Sequence, residues 1–146
     1  MSTRQIHIFI SHAWVHSHHY NTLREWIFSQ KWRVGQASLQ FLDYSVPKHD
    51  PIHNAINDLQ LKRAIFDKIA RSHVVIIPAG MYAARRKWIQ KEIEGAKQYG
   101  KPILSVNPMG QLRKPGVVTS NANKAVGWNR KPVINSIWEL YKEQCG

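Results

Sequence analysis

Cysteine is all but missing from this chain: a single residue, Cys145, stands beside the C-terminal glycine. One thiol cannot build a disulfide framework or a cysteine-based zinc site, and so sparing a use favours a reducing compartment. Acidic residues are scarce as well, nine Asp and Glu against 21 Lys and Arg, a formal charge of +12. Any carboxylate chemistry therefore has few candidates. A membrane helix needs about 20 apolar residues, and the longest runs here are short stretches such as Val74-Val75-Ile76-Ile77. The opening Met1-Ser2-Thr3-Arg4-Gln5 lacks the charged-then-apolar pattern of a secretory signal. Neither Gly-x-x-x-x-Gly-Lys-Ser/Thr nor Gly-x-Gly-x-x-Gly occurs, which removes the two common glycine-rich phosphate loops. Repeats and low-complexity tracts are absent too.

What is present suits one compact domain. The chain has 146 residues and is 43% apolar, enough to fill a core. We expect a single domain over residues 1–146 in the cytoplasm. The positive field attracts nucleic acid, anionic lipid or a phosphate-bearing small molecule without choosing among them.

Three apolar segments read as buried strands: Ile6-His7-Ile8-Phe9-Ile10, His73-Val74-Val75-Ile76-Ile77-Pro78 and Pro102-Ile103-Leu104-Ser105-Val106. Runs apolar on both faces suit central parallel strands covered by helices. Weaker strands fall at residues 39–43 and 125–128. Helical stripes alternate with them: Tyr20, Leu23, Trp26 and Ile27; Leu61, Ile65 and Ile69; Ile89, Ile93 and Ala96; Ile134, Ile137, Trp138 and Tyr141. Gly100 is placed to cap the third helix. Alternating strands and helices predict a flavodoxin-like three-layer α/β/α sandwich around a parallel sheet of order 2-1-3-4-5. The longest loops are expected over residues 45–57 and 110–123.

Ligands of such folds bind at the carboxyl ends of the strands. Ser11-His12-Ala13-Trp14 follows the first strand, Asp43-Tyr44-Ser45 ends the second, and Ala79-Gly80-Met81-Tyr82 follows the third. A phospho-acceptor receiver needs acids after the first strand and an Asp after the third, and these positions lack them. A flavin phosphate loop is missing as well. Glu25, Asp67, Glu139 and Glu143 read as solvated helix faces. Trp88 and Glu92, four apart, share a helical face distinct from the Ile89/Ile93 core face. That would set Glu92 at the rim of a cleft, partly desolvated by the indole. On these grounds alone, an ordinary surface pair is the better explanation of the two residues.

Phe9-Ile10-Ser11-His12-Ala13 resembles the first strand and loop of TIR domains. Phe41-Leu42-Asp43-Tyr44 is similar to their second strand, and Ser45 onward to their BB loop. Most specific is Ser72 through Tyr82 followed by Trp88-Ile89-Gln90-Lys91-Glu92, which is similar to the TIR pattern of an apolar strand and a helix bearing Trp-x-x-x-Glu. The size and the Ile-Phe-Ile-Ser-His opening resemble the bacterial TIR-like branch of the Thoeris defence protein ThsB. The resemblance covers residues 5–106 well and the rest by element order.

What the resemblance implies is an enzyme that breaks the nicotinamide–ribose bond of NAD+, giving ADP-ribose or a cyclised or conjugated form of it. In that branch the product is a signal read by a separate effector protein during phage infection. The family's catalytic carboxylate maps onto Glu92. Phe9, Ser11, His12, Ala13, Asp43, Tyr44, Ser45, Tyr82 and Trp88 would bind the substrate, NAD+, with no metal and no further cofactor. Arg85, Arg86 and Lys87 would meet its diphosphate. Self-association through TIR-like surfaces follows from the same resemblance. The sequence departs from the family at Ile89, where many members have Cys, and in a BB loop without Gly.

Other features fit less specific roles. The cluster His12, His16, His18 and His19 matches no zinc spacing. Trp26 and Trp138 lie on apolar stripes and are expected in the core, and Trp128-Asn129 is placed to border the pocket. Two alternatives to the enzyme stand: a non-enzymatic TIR-like interaction module, and a basic nucleic-acid-binding domain.

Overall fold

The computed structural model describes residues 3–11, 18–45, 58–78, 82–107 and 121–145. These residues form strands β1 (Arg4–Ile10), β2 (Trp32–Val34), β3 (Ala37–Asp43), β4 (Val74–Pro78), β5 (Ile103–Asn107) and β6 (Lys124–Gly127). Helices α1 (His18–Phe28), α2 (Asp58–Ala70), α3 (Tyr82–Gln98) and α4 (Arg130–Cys145) alternate with them.

The strands make one sheet in the order β2-β3-β1-β4-β5-β6. Every neighbouring pair is parallel except β2–β3. The five parallel strands follow the expected 2-1-3-4-5 order. The physical reason is visible in the burial. Ile8, Phe9 and Ile10 of β1 and Val74 through Ile77 of β4 are fully buried, so both sheet faces must be covered. Right-handed crossovers then put the helices on the two faces.

The antiparallel strand β2 was not expected. It joins β3 through a two-residue turn, Gly35-Gln36, with Trp32 opposite Leu39 and Val34 opposite Ala37. Gly35 has φ +61°, where only glycine sits without strain. The second positive-φ glycine, Gly100 at +66°, ends α3 as expected. Its amide bonds to the Lys97 carbonyl and the Lys101 amide to that of Ala96.

The helical stripes are buried at Tyr20, Leu23, Ile27, Ile65, Ile69, Ile89, Ile93, Ala96, Ile134 and Ile137, with Tyr141 partly exposed, while the side chain of Leu61 lies outside the described residues. Trp26 and Trp138 pack against the core but stay partly exposed, because an indole is too large for the space beside Ile27 and Ile137. On α3, Gly95 meets α2 so closely that a Cβ there would stand 3.1 Å from Phe66 and Ile69. Among the described residues no helix is long and apolar enough to cross a membrane.

Candidate active site

The carboxyl ends of the parallel strands place Ser11 just beyond β1. Its amide donates to the Ile76 carbonyl at 2.9 Å, continuing the β1–β4 pairing by one residue. Its hydroxyl donates to Glu92 Oε1 at 2.6 Å. Both side chains are completely buried.

Glu92 therefore does not sit at a rim. Positions 89, 92, 93 and 96 repeat at the spacing of one helical face, and all four are buried. Glu92 belongs to the core stripe of α3 itself. Grouping it with Trp88 alone hid this, since Glu92 is also three residues from Ile89. Trp88 is only partly buried, with the Lys91 ammonium 5.5 Å from its ring centre.

A buried carboxylate is costly unless it is hydrogen-bonded. The short bond from Ser11 is one compensation, a charge-assisted contact of the stronger kind when the acid is ionised. The position of Ser11 is itself fixed from the other side of β1. Ser45, also buried, accepts the Ile10 amide on its hydroxyl at 2.8 Å. Asp43 Oδ1 accepts the Ser45 amide at 2.9 Å, and Asp43 Oδ2 meets Arg24 Nε at 3.2 Å. The Tyr44 amide donates to the Ile8 carbonyl at 2.8 Å. Thus the residues after β3 grip the last residues of β1, and β1 in turn presents Ser11 to Glu92.

Tyr20 of α1 lies over this grip. Burial, and secondarily the Asp43 carboxylate, push its phenol up to about 12. It stays neutral through the physiological range and interacts with Ser45 as an uncharged group.

Of the residues the sequence pointed to, the structure brings Ser11 and Glu92 together directly. Asp43 and Ser45 reach them through Ile10. Phe9 lies in the buried core, on the same sheet face as Ser11 by strand alternation. Tyr44 turns instead to His7, its ring stacked at 4.2 Å and 15°. Tyr82 opens α3, and its side chain lies outside what the structure describes. His12 and Ala13 also lie outside the described residues, as do His16, the side chains of His18 and His19, and those of Arg85, Arg86 and Lys87. Trp128 packs on Trp26 of α1, with ring centres 5.0 Å apart.

One polar residue escaped the sequence reading. Ser105, level with Ile77 on β5, shares the sheet face of Ser11. Its buried hydroxyl has no hydrogen-bond partner among the described residues. The available signal was a serine inside an otherwise apolar strand. No group of three His, Cys, Asp or Glu placed to hold a metal occurs among the described residues.

No curated protein matches this chain. A family profile described as Thoeris protein ThsB, TIR-like domain, matches residues 9–113, from the end of β1 past β5. That span includes Ser11, the β3 grip and the Glu92 helix in one piece. The chain belongs to the Thoeris ThsB TIR-like family.

Proposed function

We propose that this protein cleaves the nicotinamide–ribose bond of NAD+, with Glu92 as the catalytic carboxylate. The observation that carries the reading is the buried Glu92, held by the Ser11 hydroxyl at the end of β1, in a TIR-like family. Glycosidases commonly need two carboxyl groups, one of them to protonate the leaving group. Nicotinamide departs from NAD+ as a neutral base, so no acid is required. A single carboxylate then suffices, stabilising the oxocarbenium-like ribose as positive charge develops. In this scheme Ser11 is a positioning residue that fixes the carboxylate. A low-dielectric setting strengthens the interaction with the developing cation.

The remaining parts of the proposal follow the Thoeris character of the family. The product is an ADP-ribose derivative, linear, cyclic or conjugated, that serves as an antiviral signal for a separate effector. TIR-like surfaces bring copies of the chain together, and the protein acts in the cytoplasm.

The test is NAD+ turnover followed by chromatography with mass detection, at high protein concentration and with infected-cell lysate added. Wild type should release nicotinamide, and the mass of the second product identifies the reaction. Glu92→Gln keeps an acceptor for Ser11 and should lose about 10³-fold in rate. A folded wild-type protein that releases no nicotinamide under any of these conditions would overturn the proposal in favour of an interaction module.

A further inference from the structure

We infer that the groove between the β2–β3 hairpin and α4 is a second ligand site, for a nucleoside polyphosphate. The groove is open and encloses about 780 Å³. That lies within the usual size of small-molecule sites, about 300–1,000 Å³. Its floor and walls carry two indoles, Trp32 and Trp138, and three cations, Arg33, Lys131 and Lys142. None of the lining comes from β1 or α3, so the inference is independent of the Glu92 reading.

Each part of the lining is preset for an aromatic anion. Trp32 is oriented by its Nε1, which donates to the Trp26 carbonyl at 3.1 Å. Trp138 stacks on Tyr141 with ring centres 6.0 Å apart, and the Lys142 ammonium lies 5.2 Å from its ring centre. Arg33 and Lys131 are exposed and make no ion pair among the described residues. The one acid of the lining, Glu139, is neutralised from outside by Lys124 of β6. That pairing holds the Glu139 carboxyl below its usual range and leaves the groove net positive.

The alternatives fit less well. Two copies meeting groove to groove would set cation against cation, so self-association belongs to other faces of the chain. An apolar segment would bury the cations without partners, at high cost. A base stacked on an indole with its phosphates on Arg33, Lys131 and Lys142 satisfies both kinds of group. The lining of α4 runs from Lys131 to Lys142, about 16 Å along the helix, the reach of one extended nucleotide rather than a strand.

The experiment is calorimetric titration of the folded full chain with ATP, adenosine, inorganic triphosphate and a thymidine oligonucleotide. ATP should bind saturably, and more tightly than adenosine or triphosphate. The exposed double variant Arg33→Ser/Lys131→Ser should weaken ATP about tenfold or more, and Trp138→Leu about tenfold. Circular dichroism confirms that both variants fold. Several results would overturn the site: no saturable ATP binding at millimolar concentration, affinity unchanged in the double variant, or triphosphate binding as tightly as ATP. Oligonucleotide binding tighter than ATP, and lost in the same variants, would instead give the groove to a nucleic-acid strand.

Discussion

The end of β1 and the groove beside α4 treat charge in opposite ways. At the end of β1 an acid is buried against the Ser11 hydroxyl, and the side chains of Ser45 and Asp43 accept the backbone amides of Ile10 and Ser45 beside it. In the groove the cations stay in water, and the indoles and aliphatic side chains are covered in part or in full. Acids are few in this chain, and among the described ones Glu92 alone is taken fully out of solvent. Burying a charge is expensive, whereas leaving Lys and Arg solvated costs nothing. The cost of burying Glu92 supports the proposal that it is a functional position, since native sequences depart from apolar cores chiefly where function requires it.

The contrast can be broken by mutation. The largest effect on stability should follow Ser11→Ala, which removes a donor from a buried carboxylate. We expect a loss of about 1–3 kcal/mol by denaturant unfolding. Turnover should fall with it, and Ser11→Thr, which keeps the hydroxyl, should restore most of both. An equal loss in Ser11→Thr would mean that packing, not the hydrogen bond, holds the site.

A smaller effect belongs to the sheet between the two regions. His73 Nδ1 accepts the His7 amide at 2.9 Å, while the His7 ring donates to the Arg71 carbonyl at 3.0 Å. The two rings lie 4.6 Å apart, and Tyr141 meets His73 edge-on at 5.1 Å. Burial, then His7, then Lys101 lower the pKa of His73 from 6.5. Protonation would also destroy the acceptor at Nδ1. The stabilisation from neutral His73 is thus complete above about pH 6.5 and declines as pH falls below it. Asn carries an oxygen where His has Nδ1, so His73→Asn should keep the bond and flatten the decline between pH 7 and about pH 5. An unchanged slope in thermal melts would assign the titration elsewhere.

At the solvent-facing side, Arg24→Gln should cost less than about 1 kcal/mol, and less still in high salt, because the Arg24–Asp43 pair is largely exposed. A loss as large as that of Ser11→Ala would show that Asp43 holds Ser45 only with Arg24 in place. Smallest of all, Arg33→Ser/Lys131→Ser should leave unfolding within about 0.5 kcal/mol of wild type. A larger shift would mean that the groove is part of the scaffold.

How much of this was legible depended on distance along the chain. β1, β4 and β5 announce themselves as apolar runs, and their order follows from crossover rules. β2 has three residues, Trp-Arg-Val, too few for alternation to register. Only the Gly35-Gln36 turn signalled it, beside a strand whose first residues are half-buried. At the site, the Trp-x-x-x-Glu spacing leads to Glu92, but pairing it with Trp88 conceals that Glu92 belongs to the stripe of Ile89, Ile93 and Ala96. The Ser11–Glu92 bond joins residues 81 apart, and no local pattern encodes it. The same holds for Ser45 and Ile10, 35 apart. Its stripe places Trp138 in the core, yet the indole is only partly buried and lines the groove.

The β2–β3 turn has a consequence for the order in which the chain folds. It makes the one antiparallel pairing among the described strands, closed by two residues. Each parallel pairing must wait for a crossover that holds a helix or a long connection. Loop-closure entropy therefore favours the hairpin first, on the microsecond scale of such elements. The β1–β4 pairing spans the widest separation along the chain, Ile8 to Val74, so its closure costs the most chain entropy. The strand that carries Ser11 thus closes the widest loop of the sheet, and the Ser11–Glu92 contact depends on that closure.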